Sequence, residues 1–218
     1  MGSRVLLLRT PETPPETDRY EPALARASFR PLSLPVLETA LENLDRLSRI
    51  VRGQDDDKVP VDGVIVTSAR AVDACVNAGA DIDWRGVRFY AVGPATAAML
   101  ARLPNPPQDV RGTESGTAER LAHYIVQDLA VGKRERLLYL TGDKNRETLS
   151  RIVREGLGDG VLIELRVYAT RGVRDFESHL ARALGTDTGT SIALYLYSAL
   201  SRRRAWTLHG GMRHVVFI

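Results

Sequence analysis

Three times along this chain a short, mostly apolar run ends in a small or hydroxyl-bearing turn that opens a stretch of helical periodicity. Gly63-Val-Ile-Val66 leads into Thr67-Ser68 and a helix from about Ala69. Val87–Val92 leads into Gly93-Pro-Ala-Thr96. Arg136–Leu140 leads into Thr141-Gly-Asp-Lys-Asn145 and a helix that places Leu149, Ile152, Val153 and Leu157 on one face. Runs this short and apolar are strands covered on both faces, and strands alternating with amphipathic helices predict an α/β fold built on parallel sheet. Val5–Leu8, Val161–Ala169, Ser191–Tyr197 and His214–Ile218 read as further strands. Further helices are predicted at Arg19–Ala27, over Leu41, Leu44, Leu47, Ile50 and Val51, over Ala118, Leu121, Ile125 and Leu129, and over Phe176, Leu180, Ala183 and Leu184. Phe29–Val36 carries Pro31 and Pro35, which suits an edge or linker strand because proline has no N–H for a central ladder. No fixed-period internal repeat is present.

The pI of 9.2 invites a nucleic-acid reading, but the charge distribution argues against it. Residues 199–218 hold Arg202, Arg203, Arg204 and Arg213 and no acid, so 26 of the 30 Lys and Arg face 27 acids over the rest of the chain. The body is near neutral, and Arg202–Arg204 reads as a solvated run. No apolar run reaches the length of a membrane span, and the N-terminal apolar run is too short for a signal peptide. The expectation is therefore a cytoplasmic chain. The single cysteine, Cys75, excludes an intramolecular disulfide and reads as a small core residue. His123, His179, His209 and His214 lack ligand spacing, so no metal is expected. There is no dinucleotide fingerprint, P-loop or nucleophile elbow.

Ligands of open α/β sheets lie beyond the carboxyl ends of the strands. Four loops there share a chemistry: Thr67-Ser-Ala-Arg70, Gly93-Pro-Ala-Thr96, Glu114-Ser-Gly-Thr117 and Thr141-Gly-Asp-Lys-Asn-Arg146. Each is small or hydroxyl-rich and opens a helix, whose first N–H groups and positive dipole end can hold a carboxylate or phosphate. The same residues also serve as ordinary N-caps, and for any single loop both readings stand.

Taken in order, four stretches resemble the uroporphyrinogen-III synthase family. Val64-Ile-Val-Thr-Ser-Ala-Arg-Ala-Val72 resembles its strand and "T-S-x-R-A-V" helix start. Phe89-Tyr-Ala-Val-Gly-Pro-Ala-Thr-Ala97 resembles its "A-V-G-x-x-T-A" turn. Leu138-Tyr-Leu-Thr-Gly-Asp-Lys-Asn-Arg146 resembles its strand and phosphate-loop-like turn. Glu164-Leu-Arg-Val-Tyr-Ala-Thr170 resembles its "V-Y-x-T" return strand. Phe29, Pro31 and Leu34-Pro-Val-Leu-Glu38 fit the outgoing linker. Each motif is weak alone; their order and spacing over residues 4–176 carry the likeness.

The resemblance implies two doubly wound parallel-sheet α/β domains joined by a two-stranded linker. The first domain would be discontinuous, residues 1–35 plus 171–218; the linker strands would be 36–38 and 166–170; the second domain would be 39–165. The cleft between them would hold hydroxymethylbilane, a linear tetrapyrrole with eight carboxylates. The implied reaction is a cofactor-free dehydration and closure to uroporphyrinogen III, in heme biosynthesis. The hydroxymethyl group leaves as water, the far pyrrole attacks through its substituted carbon, and that ring is inverted through a spiro intermediate. Tyr168 matches the family's motif tyrosine and would assist the departing hydroxyl; a packing role that binds a substrate carboxylate stands beside it. Thr67, Ser68, Gly93, Thr96, Ser115 and Thr117 are the substrate-binding candidates, with Arg70, Lys144 and Arg146 placed to pair with carboxylates. The resemblance further implies a monomer, transient contact with the upstream hydroxymethylbilane synthase, and no nucleic-acid or membrane partner.

The tail departs from the family pattern. After Ser191–Tyr197 the family's second "I-G-x-T-T" turn and its following elements are missing from residues 199–218. The first domain is therefore expected to be incomplete, and a catalytically inactive anion- or tetrapyrrole-binding module is the competing reading.

Overall fold

The computed structural model describes residues 4–13, 18–55, 60–129, 135–144, 147–184, 192–196 and 214–217. The expectations for Asn145, Arg146, Arg202–Arg204, His209, Arg213 and the rest of 199–213 lie outside these residues. The chain is an α/β protein that divides into two compact units, Met1–Glu38 with Arg171–Ile218, and Thr39–Thr170. No described helix is long and apolar enough to cross a membrane.

The discontinuous unit is built on a four-stranded sheet. Its strands are β1 (Arg4–Leu7), β2 (Arg30–Ser33), β9 (Ile192–Leu196) and β10 (His214–Phe217), in the order β10-β9-β1-β2. All three pairings are parallel. β2, which carries Pro31, occupies an edge as proline requires. Val5, Leu6 and Leu7 of the inner strand β1 are buried. Beyond β1, Arg9 pairs with Asp18, and its guanidinium lies 4.9 Å from the Tyr20 ring. Asp18 also accepts from the backbone N–H groups of Tyr20 (2.9 Å) and Glu21 (3.1 Å), which caps α1 (Tyr20–Arg26). At the other end of β1, Arg4 donates to the carbonyl of Ala183 in α7 (Phe176–Leu184) at 2.6 Å.

The continuous unit is built on a six-stranded sheet whose strands are β3 (Leu37–Leu41), β4 (Gly63–Val66), β5 (Arg88–Ala91), β6 (Asp109–Arg111), β7 (Leu137–Gly142) and β8 (Leu162–Gly172). Their order is β3-β8-β7-β4-β5-β6. The pairings from β8 through β6 are parallel. Alternate residues of each strand enter different cores. Val64, Val66, Phe89, Ala91, Leu138, Leu140, Leu165 and Val167 pack with α2 (Leu44–Val51), α3 (Ala69–Asn77) and α4 (Pro94–Leu100). Ile65, Tyr90, Leu137, Tyr139 and Leu162 pack with α5 (Ala118–Leu129) and α6 (Thr148–Leu157). Helices thus cover both faces, which explains the uninterrupted apolar runs of β4 and β7.

Three details differ from expectation. Leu41 belongs to β3 and not to the following helix, which begins at Leu44 after Asn43 in the left-handed region. β6 is an additional strand; Asp-Val-Arg has no apolar run and is held by its neighbour and its charges. Thr141 and Gly142, expected in a loop, are the last residues of β7.

The charged end of β6 is tied into its surroundings. Arg111 forks between Asp109 (2.8 and 2.9 Å) and Asp128 of α5 (2.8 and 3.0 Å). Tyr90 donates to Asp128 at 2.8 Å, and Arg88 bridges Asp109 and Glu135. The neighbouring guanidiniums, Arg111 first, hold the Asp109 carboxyl below the ordinary carboxylate range.

Candidate functional site

Because β4, β5, β6 and β7 are parallel, the turns that follow them all leave the same edge of the sheet. The chain order also reverses there: β5 and β6 are added on one side of β4, whereas β7 is added on the other. Such a reversal splays the two outgoing connections and opens a crevice between them. Here the switch point lies between the carboxyl ends of β4 and β7.

From β4, the chain enters Thr67 and Ser68. Ser68 has extended backbone angles and is the N-cap of α3; its Oγ accepts from the Ala71 N–H at 3.2 Å. The same oxygen lies 3.1 Å from the Tyr168 hydroxyl, with Ser68 as donor. Thr67 Oγ1 lies 3.4 Å from the hydroxyl of Tyr139, whose ring is buried in the sheet. That burial pushes the Tyr139 phenol above its ordinary value, against the Thr67 hydrogen bond that lowers it.

From the β7 side, two features fix Tyr168. The parallel register runs evenly from Leu137↔Leu162 to Thr141↔Arg166 and then skips to Gly142↔Tyr168. Val167 is the extra residue of this bulge. Ile163, Leu165 and Val167 face the core with α3, and Tyr168 packs against that same core. In a strictly alternating strand Tyr168 would point to the opposite face; the bulge re-aims it toward Ser68. The second feature is Gly142. A Cβ on this residue would lie 2.2, 2.5 and 2.9 Å from three atoms of the Tyr168 ring, so the ring rests directly on the glycine backbone. The Asp143 N–H donates to the Tyr168 carbonyl (3.2 Å), and Asp143 Oδ1 accepts from the Thr170 N–H (3.2 Å). The backbone on both sides of the tyrosine is therefore pinned to the β7 turn. Over the ring, the Arg70 guanidinium lies 5.8 Å from its centroid.

The structure thus brings Thr67, Ser68, Arg70 and Tyr168 into one contact cluster. Gly93 is the N-cap of α4, beyond β5, and Thr96 is buried within that helix. Ser115 is buried, and the Gly116 N–H donates to the Val92 carbonyl at 2.8 Å, which ties this loop to the end of β5. Thr117 Oγ1 accepts from the Arg120 N–H at 3.2 Å, in the manner of an N-cap for α5. Lys144 is exposed in the turn after β7. Neither Arg70 nor Lys144 has an ion-pair partner among the described residues. Gly142 and Asp143, which lie in one of the four candidate loops without having been named as site residues, join the site, as does Tyr139, which was not a candidate. A separate depression of about 610 Å³ lies beside β6 and α5, lined by Thr113, Ser115, Arg120, His123, Tyr124 and Gln127 among others. Of the sequence-predicted site residues it includes Ser115 alone.

This arrangement places a half-buried phenol, a cation and the first turn of a helix together at the switch point of the sheet. Such a set can bind an anionic ligand and hand a proton to an oxygen leaving group.

No curated protein matches the sequence. Among solved structures, the chain is similar to a mutant uroporphyrinogen III synthase of the extremely thermophilic bacterium Thermus thermophilus, at 19% identity and a TM-score of 0.48 over 91% of this chain and 74% of that one. It is also similar to the uroporphyrinogen-III synthetase of Helicobacter pylori, at 15% identity and a TM-score of 0.48 over 89% and 72%. A family model described as uroporphyrinogen-III synthase HemD matches residues 18–216, which take in every strand from β2 to β9 and all of the cluster around Tyr168. On that match, the chain belongs to the uroporphyrinogen-III synthase HemD family.

Proposed function

We propose that this chain is itself a uroporphyrinogen-III synthase: it dehydrates hydroxymethylbilane and closes it to uroporphyrinogen III with inversion of the terminal pyrrole. The observation that carries the reading is the placement of Tyr168, which a bulge and a glycine turn toward Ser68 at the switch point of a parallel sheet. In the proposed reaction the Tyr168 phenol gives its proton to the terminal hydroxyl as the C–O bond breaks. Water departs and an azafulvene cation remains. The far pyrrole attacks through its substituted carbon to form the spiro intermediate, and the closing step releases a proton that restores the phenol. Proton and water balance without a co-reactant. Arg70, Lys144 and the hydroxyl-rich turns would hold substrate carboxylates, and holding the chain folded for inversion is the larger part of catalysis. The same reading divides the chain into domains 1–35 with 171–218, and 39–165, with linker strands 36–38 and 166–170.

The test is turnover of freshly made hydroxymethylbilane, with the products oxidised and resolved as isomer I and isomer III porphyrins. The expected result is predominant isomer III, reduced about 10²-fold or more in rate by Tyr168→Phe. Isomer I alone from folded protein would sink the catalytic reading. If that protein also binds the bilane, the chain is a tetrapyrrole-binding module.

A further inference from the structure

We propose that Ser68 is a positioning residue that fixes which way the Tyr168 proton points; the inference rests on the reading of Tyr168 as the acid. A serine hydroxyl has one proton and two lone pairs, whereas a backbone N–H can only donate. The Ala71 N–H takes one lone pair of Ser68 at 3.2 Å. The geometry at the two hydroxyls makes Ser68 the donor to the Tyr168 oxygen at 3.1 Å. The nearby Thr67–Tyr139 contact, by contrast, fits either direction. The chain Ala71 N–H → Ser68 O–H → Tyr168 therefore has a fixed sense. With its oxygen already accepting, Tyr168 must turn its own proton away from Ser68.

The same chain supplies polarity. It begins at the first turn of α3, a nine-residue helix whose positive end lies behind Ser68. Hydrogen bonds linked in a chain polarise one another. As the phenol proton leaves, the developing negative charge on the oxygen meets the Ser68 donor, the helix end and the Arg70 cation over the ring. The Gly142 shelf and the Asp143 backbone pins keep the ring from following the departing proton. Ser68 thus has two separable jobs. As an acceptor it caps α3; as a donor it orients Tyr168.

Three substitutions separate the jobs. Ser68→Asp keeps an acceptor at the cap but has no proton to donate near neutral pH. Ser68→Ala removes both, and Ser68→Thr keeps both. At saturating hydroxymethylbilane, Ser68→Asp is expected to retain the denaturation midpoint while kcat for isomer III falls roughly tenfold to a hundredfold, toward the Tyr168→Phe level. Ser68→Ala loses rate and midpoint together, and Ser68→Thr recovers most of both. In a Tyr168→Phe background, Ser68→Asp should lower kcat no further. The proposal is overturned if Ser68→Asp keeps the wild-type kcat, or if its loss is undiminished in the Tyr168→Phe background. If Tyr168→Phe alone leaves kcat unchanged, it is the acid reading that has failed, and the Ser68 assignment falls with it. A slow Tyr168→Phe beside a fast Ser68→Asp defeats the Ser68 assignment alone.

Discussion

Gly142→Ala is the sharpest perturbation the structure offers, because a single methyl group displaces the tyrosine without touching it chemically. The added Cβ would lie 2.2 Å from Cε2 of Tyr168, 2.5 Å from Cζ and 2.9 Å from Cδ2. Carbon contacts become comfortable at roughly 3.5 Å, so the ring must retreat by about 1 Å. The Ser68–Tyr168 hydrogen bond starts at 3.1 Å, and a shift of that size carries it past the limit of a real hydrogen bond. Gly142 does not occupy the left-handed region reserved for glycine, so the backbone accepts alanine and the penalty comes from the ring alone. Forcing a methyl group into such a contact costs about 1–3 kcal/mol. The lower conformational entropy of alanine in the unfolded chain offsets about 0.4–1 kcal/mol of that. Urea denaturation can be read from buried Trp84, with Trp206 replaced by Phe. It should show a net loss of roughly 1–2 kcal/mol, and isomer III formation should fall as it does in Tyr168→Phe. In a Tyr168→Ala background the obstacle is gone, and Gly142→Ala should become neutral or slightly stabilising. If Gly142→Ala changes stability equally in the two backgrounds, or leaves isomer III formation intact, the account of Gly142 as the seat of the tyrosine ring is wrong.

Three further outcomes follow from the described geometry. Cys75 is 1% exposed, and burial pushes its thiol up to about 12; alkylating reagents should leave it untouched in the native protein at pH 8 and label it only on unfolding, and rapid native labelling would contradict the packing. Asp128→Ala removes the shared acceptor of Arg111 and Tyr90, so it should lower stability by about 1–3 kcal/mol against about 1 kcal/mol for Tyr90→Phe, and equal losses in denaturant midpoint would refute the shared role. Asp109 is held below its ordinary value of 3.8 chiefly by Arg111. Its contribution is therefore present above the unfolded value and lost as pH falls through the lower folded one. The stability difference between wild type and Asp109→Asn should stay level from about pH 7 to pH 5 and close only below about pH 4. A difference that closes already near neutrality would reverse the sign.

The elements that were legible in the sequence are those fixed by local pattern. β4 is a four-residue run in which every position is buried, and no register or topology is needed to recognise it. The N-cap role of Ser68 was legible as one of two readings, since a serine between such a run and a helix can cap the helix or help hold an anion there. β6 was not legible, because three residues containing Asp109 and Arg111 become a strand only when β5 presents a free edge and Asp128 of α5 meets the arginine. The boundary at Leu41 failed for a related reason: a leucine one turn before a helix fits its periodicity, yet the chain turns at Asn43 through a left-handed angle.

The site divides along the same line. Tyr168 stands two residues beyond Arg166 on a strand whose alternation would send them to the same face. Only the extra residue Val167 reverses this, and a bulge belongs to the pairing of β7 with β8 rather than to either strand alone. Gly142 has no side chain to advertise a role, and its importance lies in the space it leaves for the residue 26 positions later in the chain. The hydroxyl-rich turns could be named as binding candidates because their chemistry is their own. Which of them touches the tyrosine depended on the order of the strands, which sets β4 and not β5 beside β7. Thus Ser68, and not Thr96 or Thr117, became the partner of Tyr168: among similar turns on one sheet edge, adjacency at the switch point decides which hydroxyl can steer the phenol.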